Sequence, residues 1–162
     1  MQKITIISTG GTFNKIYNPK TGELDIDKSS KALQVLAKKW LCHLEVVNLI
    51  GKDSLEMTQE DRNLLITSIK NCESKHIIVV HGTDTMDITA NALAQAQLQK
   101  SIVLTGAMLP FSIDPIEATA NLASAYGYLQ NVTSNGITIA MNGVIDYYLN
   151  VKKDRTQGKF VP

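Results

Sequence analysis

Short apolar runs alternate with longer amphipathic segments along most of the chain. The run over residues 76–80 contains almost no polar residue, which is typical of a strand covered on both faces in a parallel sheet. The longer segments repeat apolar residues three and four positions apart, the spacing of one helix face. The pattern predicts strands over residues 4–8, 43–50, 76–80, 101–104 and 136–141, and residues 144–148 are a candidate extra strand. Helices are predicted to begin near residues 30 and 58 and to span residues 87–97 and 116–129.

Two segments carry specific turn and helix-start signals. Residues 13–28 are polar and contain the turn dipeptides Asn18-Pro19 and Thr21-Gly22, so they form either a loop or a small hairpin. Thr58 can cap the helix that follows it, and Asp61 three positions later gives a carboxylate variant of the capping box. The predicted buried stripe of that helix is Leu64, Leu65 and Ile69.

Alternation of strands and helices indicates an α/β fold. We expect a three-layer α/β/α sandwich around a mostly parallel, Rossmann-like sheet. The 162 residues suit one domain with a real core, and no repeat or linker divides residues 1–162. Polar residues of interest follow the first, third and fourth strands, and open α/β sheets bind ligands beyond those strand ends.

Composition narrows the range of partners. The net charge is +1, which gives no case for nucleic acid as a partner. Lys152, Lys153 and Arg155 form a short basic cluster near the end, which either is an exposed charged tail or has a function.

Cysteine usage and the first residues favour a cytoplasmic protein. Cys42 and Cys72 do not have the spacing of a zinc site, so we expect two reduced structural thiols and no metal. Met1 leads directly into a strand pattern without the apolar stretch of a signal peptide, and no apolar run is long enough to span a bilayer.

The first candidate segment is Thr9-Gly10-Gly11-Thr12, at the end of the first strand. Two glycines let the backbone approach a ligand and leave amide N–H groups available for a negative oxygen. Thr12 adds a hydroxyl, which is a poor nucleophile unless a base takes its proton. A plain turn or a partial nucleotide loop are the alternatives, although the dinucleotide and P-loop fingerprints are absent.

The second candidate segment is residues 81–85, after the third strand. Asp84 could bind a substrate ammonium group, and Thr83 is a second candidate nucleophile. Alternatively, Thr83 or Asp84 caps the following helix, a role that is compatible with catalysis. His81 is more readily explained as a packed, hydrogen-bonded histidine than as a base. Lys153 could act as a base if the fold brings it near a threonine hydroxyl.

Together these runs resemble the bacterial-type asparaginase/glutaminase family. The resemblance rests on Thr-Gly-Gly-Thr at residues 9–12 and His-Gly-Thr-Asp-Thr-Met at residues 81–86. A third run, Thr-Gly-Ala-Met at residues 105–108 followed by Pro110, also matches the family pattern. The similarity covers essentially the whole chain, which resembles the family's N-terminal domain standing alone.

The resemblance implies roles for five catalytic residues. Thr12 matches the nucleophile, and Thr83 belongs to a Thr-Lys-Asp triad whose lysine is Lys153, counted from Met-Asn at the preceding strand end. Asp84 matches the acid that holds the substrate's α-amino group. Tyr17 is the only tyrosine in the loop after Thr12, and it is assigned to the tyrosine that assists the nucleophile.

The resemblance also implies a substrate pocket without metal or organic cofactor. Ser54 matches a serine that binds the α-carboxylate, and Ala107 would offer its carbonyl to the substrate amide nitrogen. Gly11 and Gly82 would line the same pocket. Some relatives carry a polar residue after the serine, whereas this chain has Leu55.

The predicted function is hydrolysis of L-asparagine or a related small amide through a threonine acyl-enzyme. Family enzymes are roughly twice as long as this chain, and their second domain contributes to a neighbouring subunit's active site. The alternatives are therefore a weakly active or inactive module that binds an amino acid or amide, and a subunit that pairs with another chain. The resemblance also implies a homodimer or higher homo-oligomer.

Overall fold

The structure is a computed structural model that describes residues 2–40 and 44–162. The strands are β1 (Ile4–Gly10), β2 (Lys15–Asn18), β3 (Glu23–Ile26), β4 (Glu45–Lys52), β5 (His76–Val80), β6 (Ser101–Thr105), β7 (Gly136–Met141), β8 (Val144–Tyr147), β9 (Lys152–Asp154) and β10 (Lys159–Val161). The α-helices are α1 (Lys31–Lys39), α2 (Gln59–Asn71), α3 (Met86–Gln95) and α4 (Pro115–Asn131). Short 3-10 turns cover Thr12–Asn14, Ser54–Glu56 and Tyr148–Asn150.

The central sheet has six strands in the order β4-β1-β5-β6-β7-β8. The first five of these strands are mutually parallel, and β8 is antiparallel to β7 at one edge. The carboxyl ends of β4, β1, β5 and β6 therefore meet at one edge of the sheet, and the loops that follow them are neighbours.

Helices cover both faces of this sheet. Alternate residues of each strand point to opposite sides, so Ile77 and Val79 pack against α2 and α3, whereas Ile78 and Val80 pack against α1 and α4. The result is the expected three-layer α/β/α sandwich around a mostly parallel sheet. The extra strand anticipated over residues 144–148 is also present, as β8.

The α2 helix begins where it was predicted to begin, but one residue of its predicted buried stripe is exposed. The capping box is formed, with the Asp61 N–H donating to Thr58 Oγ1 and the Thr58 N–H donating to Asp61 Oδ2. Leu65 and Ile69 are buried as predicted, whereas the prediction for Leu64 is wrong because this side chain is 48% exposed. The additional buried residue on the helix is Arg62, whose guanidinium reaches polar partners on α3.

The polar segment over residues 13–28 is a 3-10 turn followed by the β2–β3 hairpin, the second of the two predicted alternatives. The predicted strand over residues 43–50 corresponds to β4, while His43 and Cys42 lie outside the described residues. In the part of the chain that the structure describes, no helix has the length and apolar character needed to cross a membrane.

Candidate active site

Three loops meet at the carboxyl edge of the sheet, and Gly82 is where they touch. A Cβ atom built on Gly11 would lie 2.5 Å from both the Cα and N atoms of Gly82. A Cβ atom built on Gly82 would lie 2.6 Å from Cβ of Ser54. Gly11 also has a positive φ of 74°, which an L-residue with a side chain rarely adopts. Glycine at both positions thus lets the loops after β1, β4 and β5 pack against one another.

Thr12 begins the 3-10 turn that follows this contact, and its neighbours hold it in place. Phe13 is fully buried and stacks on Phe111 with ring centroids 6.2 Å apart. Asn14 Nδ2 donates to Ser8 Oγ at 3.1 Å and to the Gly10 carbonyl at 3.2 Å. Thr12 itself is half-buried, and none of the described hydrogen bonds uses its hydroxyl. The hydroxyl is therefore carried on a turn that its neighbours hold in place.

One amide expected to be available at this turn is already occupied. The Gly11 N–H donates to the Lys52 carbonyl at 3.0 Å, so it cannot also face an oxyanion in this conformation. Among the described backbone bonds, none uses the N–H of Thr12 or of Gly82. These two groups are among the N–H donors without a described acceptor at the junction of the loops, as are those of Phe13 and Thr83.

Lys153 contacts both members of the Thr83–Asp84 pair. Its Nζ atom lies 2.8 Å from Thr83 Oγ1 and 2.8 Å from Asp84 Oδ1. The Lys153 side chain is only 15% exposed and the Asp84 side chain 28% exposed. The lysine hydrogen bond is the main cause that lowers the pKa of Asp84 below its ordinary value. The fold thus assembles the Thr-Lys-Asp group that the sequence suggested.

The hairpin of β9 and β10 places Lys153 beside Thr83 and Asp84. Lys153 lies on β9, opposite Phe160 of β10 in the antiparallel pair. Phe160 is buried in the core, and its N–H donates to Asn142 Oδ1 at 2.9 Å. The buried phenylalanine and the asparagine bond fix the hairpin, so Lys153 is held beside Thr83.

Arg155 also reaches Asp84, which the sequence did not indicate. Its Nη1 atom lies 2.6 Å from Asp84 Oδ1, and its Nη2 atom donates to the Asp84 carbonyl at 3.3 Å. The Arg155 side chain remains 65% exposed. The basic cluster near the end is therefore not simply a solvated tail, because two of its members, Lys153 and Arg155, bind the same carboxylate.

Ser54 is a buried connector between loops. Its hydroxyl accepts the Asp84 N–H at 3.2 Å, and its carbonyl accepts from Thr85 Oγ1 at 2.8 Å. The preceding Asp53 forms an ion pair with Lys15 at 2.7 Å, a second contact that the sequence did not reveal. The hydroxyl hydrogen of Ser54 is still available to donate to a ligand.

The residues after β5 do not cap the next helix in the way the sequence suggested. The N-cap of α3 is Thr85, so the interpretation of Thr83 or Asp84 as the N-cap is wrong. Thr85 itself makes no side-chain cap bond, because its hydroxyl donates to the Ser54 carbonyl. Thr83 and Asp84 are thereby left to interact with Lys153.

His81 is a packed residue in a closed hydrogen-bond chain. Its Nδ1 lies 2.7 Å from the Gly82 carbonyl, which can only accept, so Nδ1 carries the proton. Nε2 then accepts from the Thr89 hydroxyl at 2.8 Å, and Thr89 Oγ1 accepts from Arg62 Nε at 3.0 Å. Complete burial lowers the pKa of His81 to about 4, so the ring is neutral near pH 7. This agrees with the interpretation of His81 as a packed histidine.

The loop after β6 lies against the residues that precede Gly82 and follow Thr12: a Cβ atom built on Gly106 would collide with the His81 carbonyl, and the Phe111 N–H donates to the Phe13 carbonyl at 3.4 Å. Ala107 is fully buried, and none of the described hydrogen bonds ends on its carbonyl. Asn121 Nδ2 donates to the Gly106 carbonyl at 3.0 Å, and Glu117 accepts from the Met108 N–H at 3.0 Å. Both partners lie on α4, so that helix fixes the loop.

Tyr17 is not joined to the rest of the site. It lies on β2, pairs with Leu24 across the hairpin and is 61% exposed. No described hydrogen bond connects it to Thr12. Over residues 2–40 and 44–162, no group of three or more acidic, histidine or cysteine side chains is arranged to hold a metal ion.

Sequence comparison adds a family match. Residues 3–159 match the family described as "Asparaginase, N-terminal". The chain is 28% identical over 174 aligned positions to a probable periplasmic L-asparaginase of Haemophilus influenzae, covering 96% of this chain and 47% of the relative. It is also 26% identical over 154 positions to a glutaminase-asparaginase of Acinetobacter glutaminasificans, covering 88% of this chain and 46% of that protein.

A solved structure gives the same relationship. A probable cytoplasmic L-asparaginase of Campylobacter jejuni superimposes with a TM-score of 0.79 at 28% identity. The match covers 94% of this chain and 50% of the Campylobacter chain. This chain therefore spans about half the length of the asparaginases it matches.

Proposed function

Because the chain belongs to the asparaginase family, we propose that it is an amidohydrolase that converts L-asparagine or a related small amide into the acid and ammonia. We further propose that residues 1–162 form a single domain of the family's N-terminal type. The observation that carries the enzymatic proposal is the 2.8 Å approach of Lys153 Nζ to Thr83 Oγ1. A module that only binds an amino acid has no need to bury a lysine against a second threonine.

In the proposed reaction, Thr12 Oγ1 attacks the amide carbon and the carbonyl becomes an oxyanion. The N–H groups of Thr12 and Gly82 are the proposed oxyanion donors. The hydroxyl proton is relayed through Thr83 or a water molecule to Lys153, which passes one of its own protons to the amide nitrogen as it takes up another. The C–N bond breaks and ammonia leaves. Water next attacks the acyl-threonine, which releases the acid and restores the hydroxyl.

The remaining site residues have proposed roles in binding. Ser54 would donate to the substrate α-carboxylate, and the Ala107 carbonyl would accept from the substrate amide nitrogen. Gly11 and Gly82 would line the pocket where their loops pack together, and Tyr17 would assist Thr12 when its hairpin closes. No metal ion or organic cofactor takes part in this scheme.

The test is ammonia release from L-asparagine, L-glutamine and simple amides at high protein concentration. Thr12→Ala should abolish release, and intact-protein mass spectrometry of the unmodified chain should detect an acyl group on Thr12. Thr21→Ala is the matched control, because this threonine is exposed in the hairpin turn. If none of the amides is hydrolysed, the enzymatic proposal is wrong.

A binding module is the second candidate, and one observation favours it. Leu55, after the proposed carboxylate-binding serine, is 71% exposed. A binder would retain its affinity for an amino acid in Thr12→Ala, as measured by titration calorimetry. A subunit that needs another chain would instead co-purify with that chain.

We propose that the protein assembles as a homodimer or a higher homo-oligomer in the cytoplasm. Ile88 and Leu149 line a cleft next to Lys152 and are 51% and 60% exposed, and such an apolar surface would be covered by self-association. The name of the Campylobacter relative supports the compartment, whereas that of the Haemophilus relative indicates the periplasm. Light scattering after gel filtration tests the assembly, and cell fractionation tests the location.

A further inference from the structure

The carboxylates nearest to the proposed substrate are already bound to cations. Asp84 Oδ1 lies 2.8 Å from Lys153 Nζ and 2.6 Å from Arg155 Nη1. Asp53, adjacent to Ser54, is paired with Lys15 at 2.7 Å. A substrate ammonium group that binds Asp84 would therefore share this carboxylate with both Lys153 and Arg155.

Arg155 distinguishes this arrangement from a simple lysine–aspartate pair. Lys153 alone would leave the pair with no net charge, whereas the second cation leaves the three-residue group with a charge of +1. Arg155 Nη2 also donates to the Asp84 backbone carbonyl at 3.3 Å, so the guanidinium makes two contacts with Asp84. A planar guanidinium held in this way retains further N–H donors for an incoming carboxylate.

The cleft beside this group has a volume of about 190 Å³. Its lining includes the basic side chains Lys152, Lys153 and Arg155 and the carboxylates Asp84 and Asp87. Asp87, Lys152 and Arg155 are exposed, so water screens their charges, whereas Lys153 and Asp84 are partly buried. The charged lining carries three positive and two negative groups, a net charge of +1.

We propose that Arg155 is a specificity-determining residue that makes the site prefer carboxylate-bearing amides without a free α-ammonium group. The proposal rests on the amidohydrolase function proposed above. Succinamate represents the preferred class, because it is asparagine without the α-amino group. L-asparagine binds less well, since its ammonium must either displace Arg155 from Asp84 or lie beside two cations.

The test compares kcat/KM for succinamate and L-asparagine in the unmodified protein and in Arg155→Gln. We expect the unmodified protein to favour succinamate. In Arg155→Gln we expect the ratio to move toward asparagine by about tenfold or more, mainly through a lower KM for asparagine. Arg155→Lys should keep part of the preference. Lys159→Gln, an exposed charge on the same hairpin, should leave the ratio unchanged.

A binding measurement separates failure of this proposal from failure of the proposed reaction. Calorimetric titration with succinate and L-aspartate, the corresponding products, requires no turnover. We expect succinate to bind more tightly than aspartate, and Arg155→Gln to narrow or reverse the difference. If aspartate binds at least as tightly as succinate and Arg155→Gln changes neither affinity, the proposal is wrong, whether or not ammonia is released. If neither amide releases ammonia but succinate binds more tightly than aspartate as expected, only the proposed amidohydrolase reaction is wrong.

Discussion

The backbones of Gly11 and Gly82 are in direct contact, so that a Cβ atom on Gly11 would lie 2.5 Å from the Cα of Gly82. Each of these glycines immediately precedes one of the two proposed catalytic threonines. The contact therefore sets the spacing between Thr12 and Thr83, although the two threonines belong to different loops.

We expect Gly11→Ala to separate these loops. The new Cβ would collide with backbone atoms at a position whose φ is 74°, so the free energy of unfolding should fall by about 2 kcal/mol or more. Ammonia release should be lost. Gly127→Ala is the control: this glycine lies within α4, a Cβ atom added there would meet nothing within 4 Å, and the substitution should stabilise the protein by about 0.5–1 kcal/mol. Urea unfolding of both variants checks the prediction, and equal stability of the two would contradict it.

Lys153→Met should lower kcat by about a hundredfold or more, because the proposed proton acceptor is lost. Circular dichroism and urea unfolding would establish that the variant is folded. Lys159→Met serves as the control, since Lys159 lies on the neighbouring strand and is exposed. Partial recovery of activity in Lys153→Ala on addition of a small primary amine would distinguish proton transfer from a structural role. A Lys153→Met protein with full activity would exclude the lysine from the reaction.

His81 should make the protein less stable as the pH falls from about 6.5 to about 4. The unfolded chain takes up a proton near the ordinary value of 6.5, whereas the pKa in the folded protein is about 4, so protons favour unfolding within this window. The full loss is roughly 3 kcal/mol. Urea unfolding at pH 7, 5.5 and 4.5 measures it. His81→Asn retains a donor toward the Gly82 carbonyl but does not titrate, so this variant should lose less stability over the same range.

Tyr17→Phe should reduce kcat by about tenfold to a hundredfold if the hairpin closes over the bound substrate, because the phenol hydroxyl is then the group that assists Thr12. The tyrosine is 61% exposed without substrate, so its removal should not alter the free energy of unfolding measurably. Tyr128→Phe, on α4, provides the comparison. If kcat is unchanged in Tyr17→Phe, Tyr17 takes no part in the reaction and is an ordinary exposed residue of the hairpin.

Features encoded by neighbouring residues could be predicted from the sequence. The Thr58–Asp61 capping box spans one helical turn, and the strand over residues 76–80 is apparent from its own apolar run. The grouping of Thr83, Asp84 and Lys153 was suggested by family resemblance and not by spacing, because Lys153 is 70 positions from Thr83.

Contacts between distant segments could not be predicted. The sequence left open whether Arg155 belongs to an exposed charged tail or has a function, because nothing near it in the chain indicates a partner 71 positions earlier. The buried face of α2 could not be predicted fully for the same reason. Arg62 is buried because it has a polar partner, Thr89, on the distant helix α3, whereas Leu64 is exposed. The occupied Gly11 N–H likewise depends on the Lys52 carbonyl at the end of β4.

The position of Lys153 on the β9–β10 hairpin has a consequence during protein synthesis. All five parallel strands, Thr12, Thr83 and Asp84 lie within the first 141 residues, whereas the hairpin that carries Lys153 and Arg155 is translated afterwards. A nascent chain can therefore complete its parallel sheet while it still lacks both cations of the site. The proposed activity would begin only after residues 152–161 have left the ribosome and Phe160 enters the core.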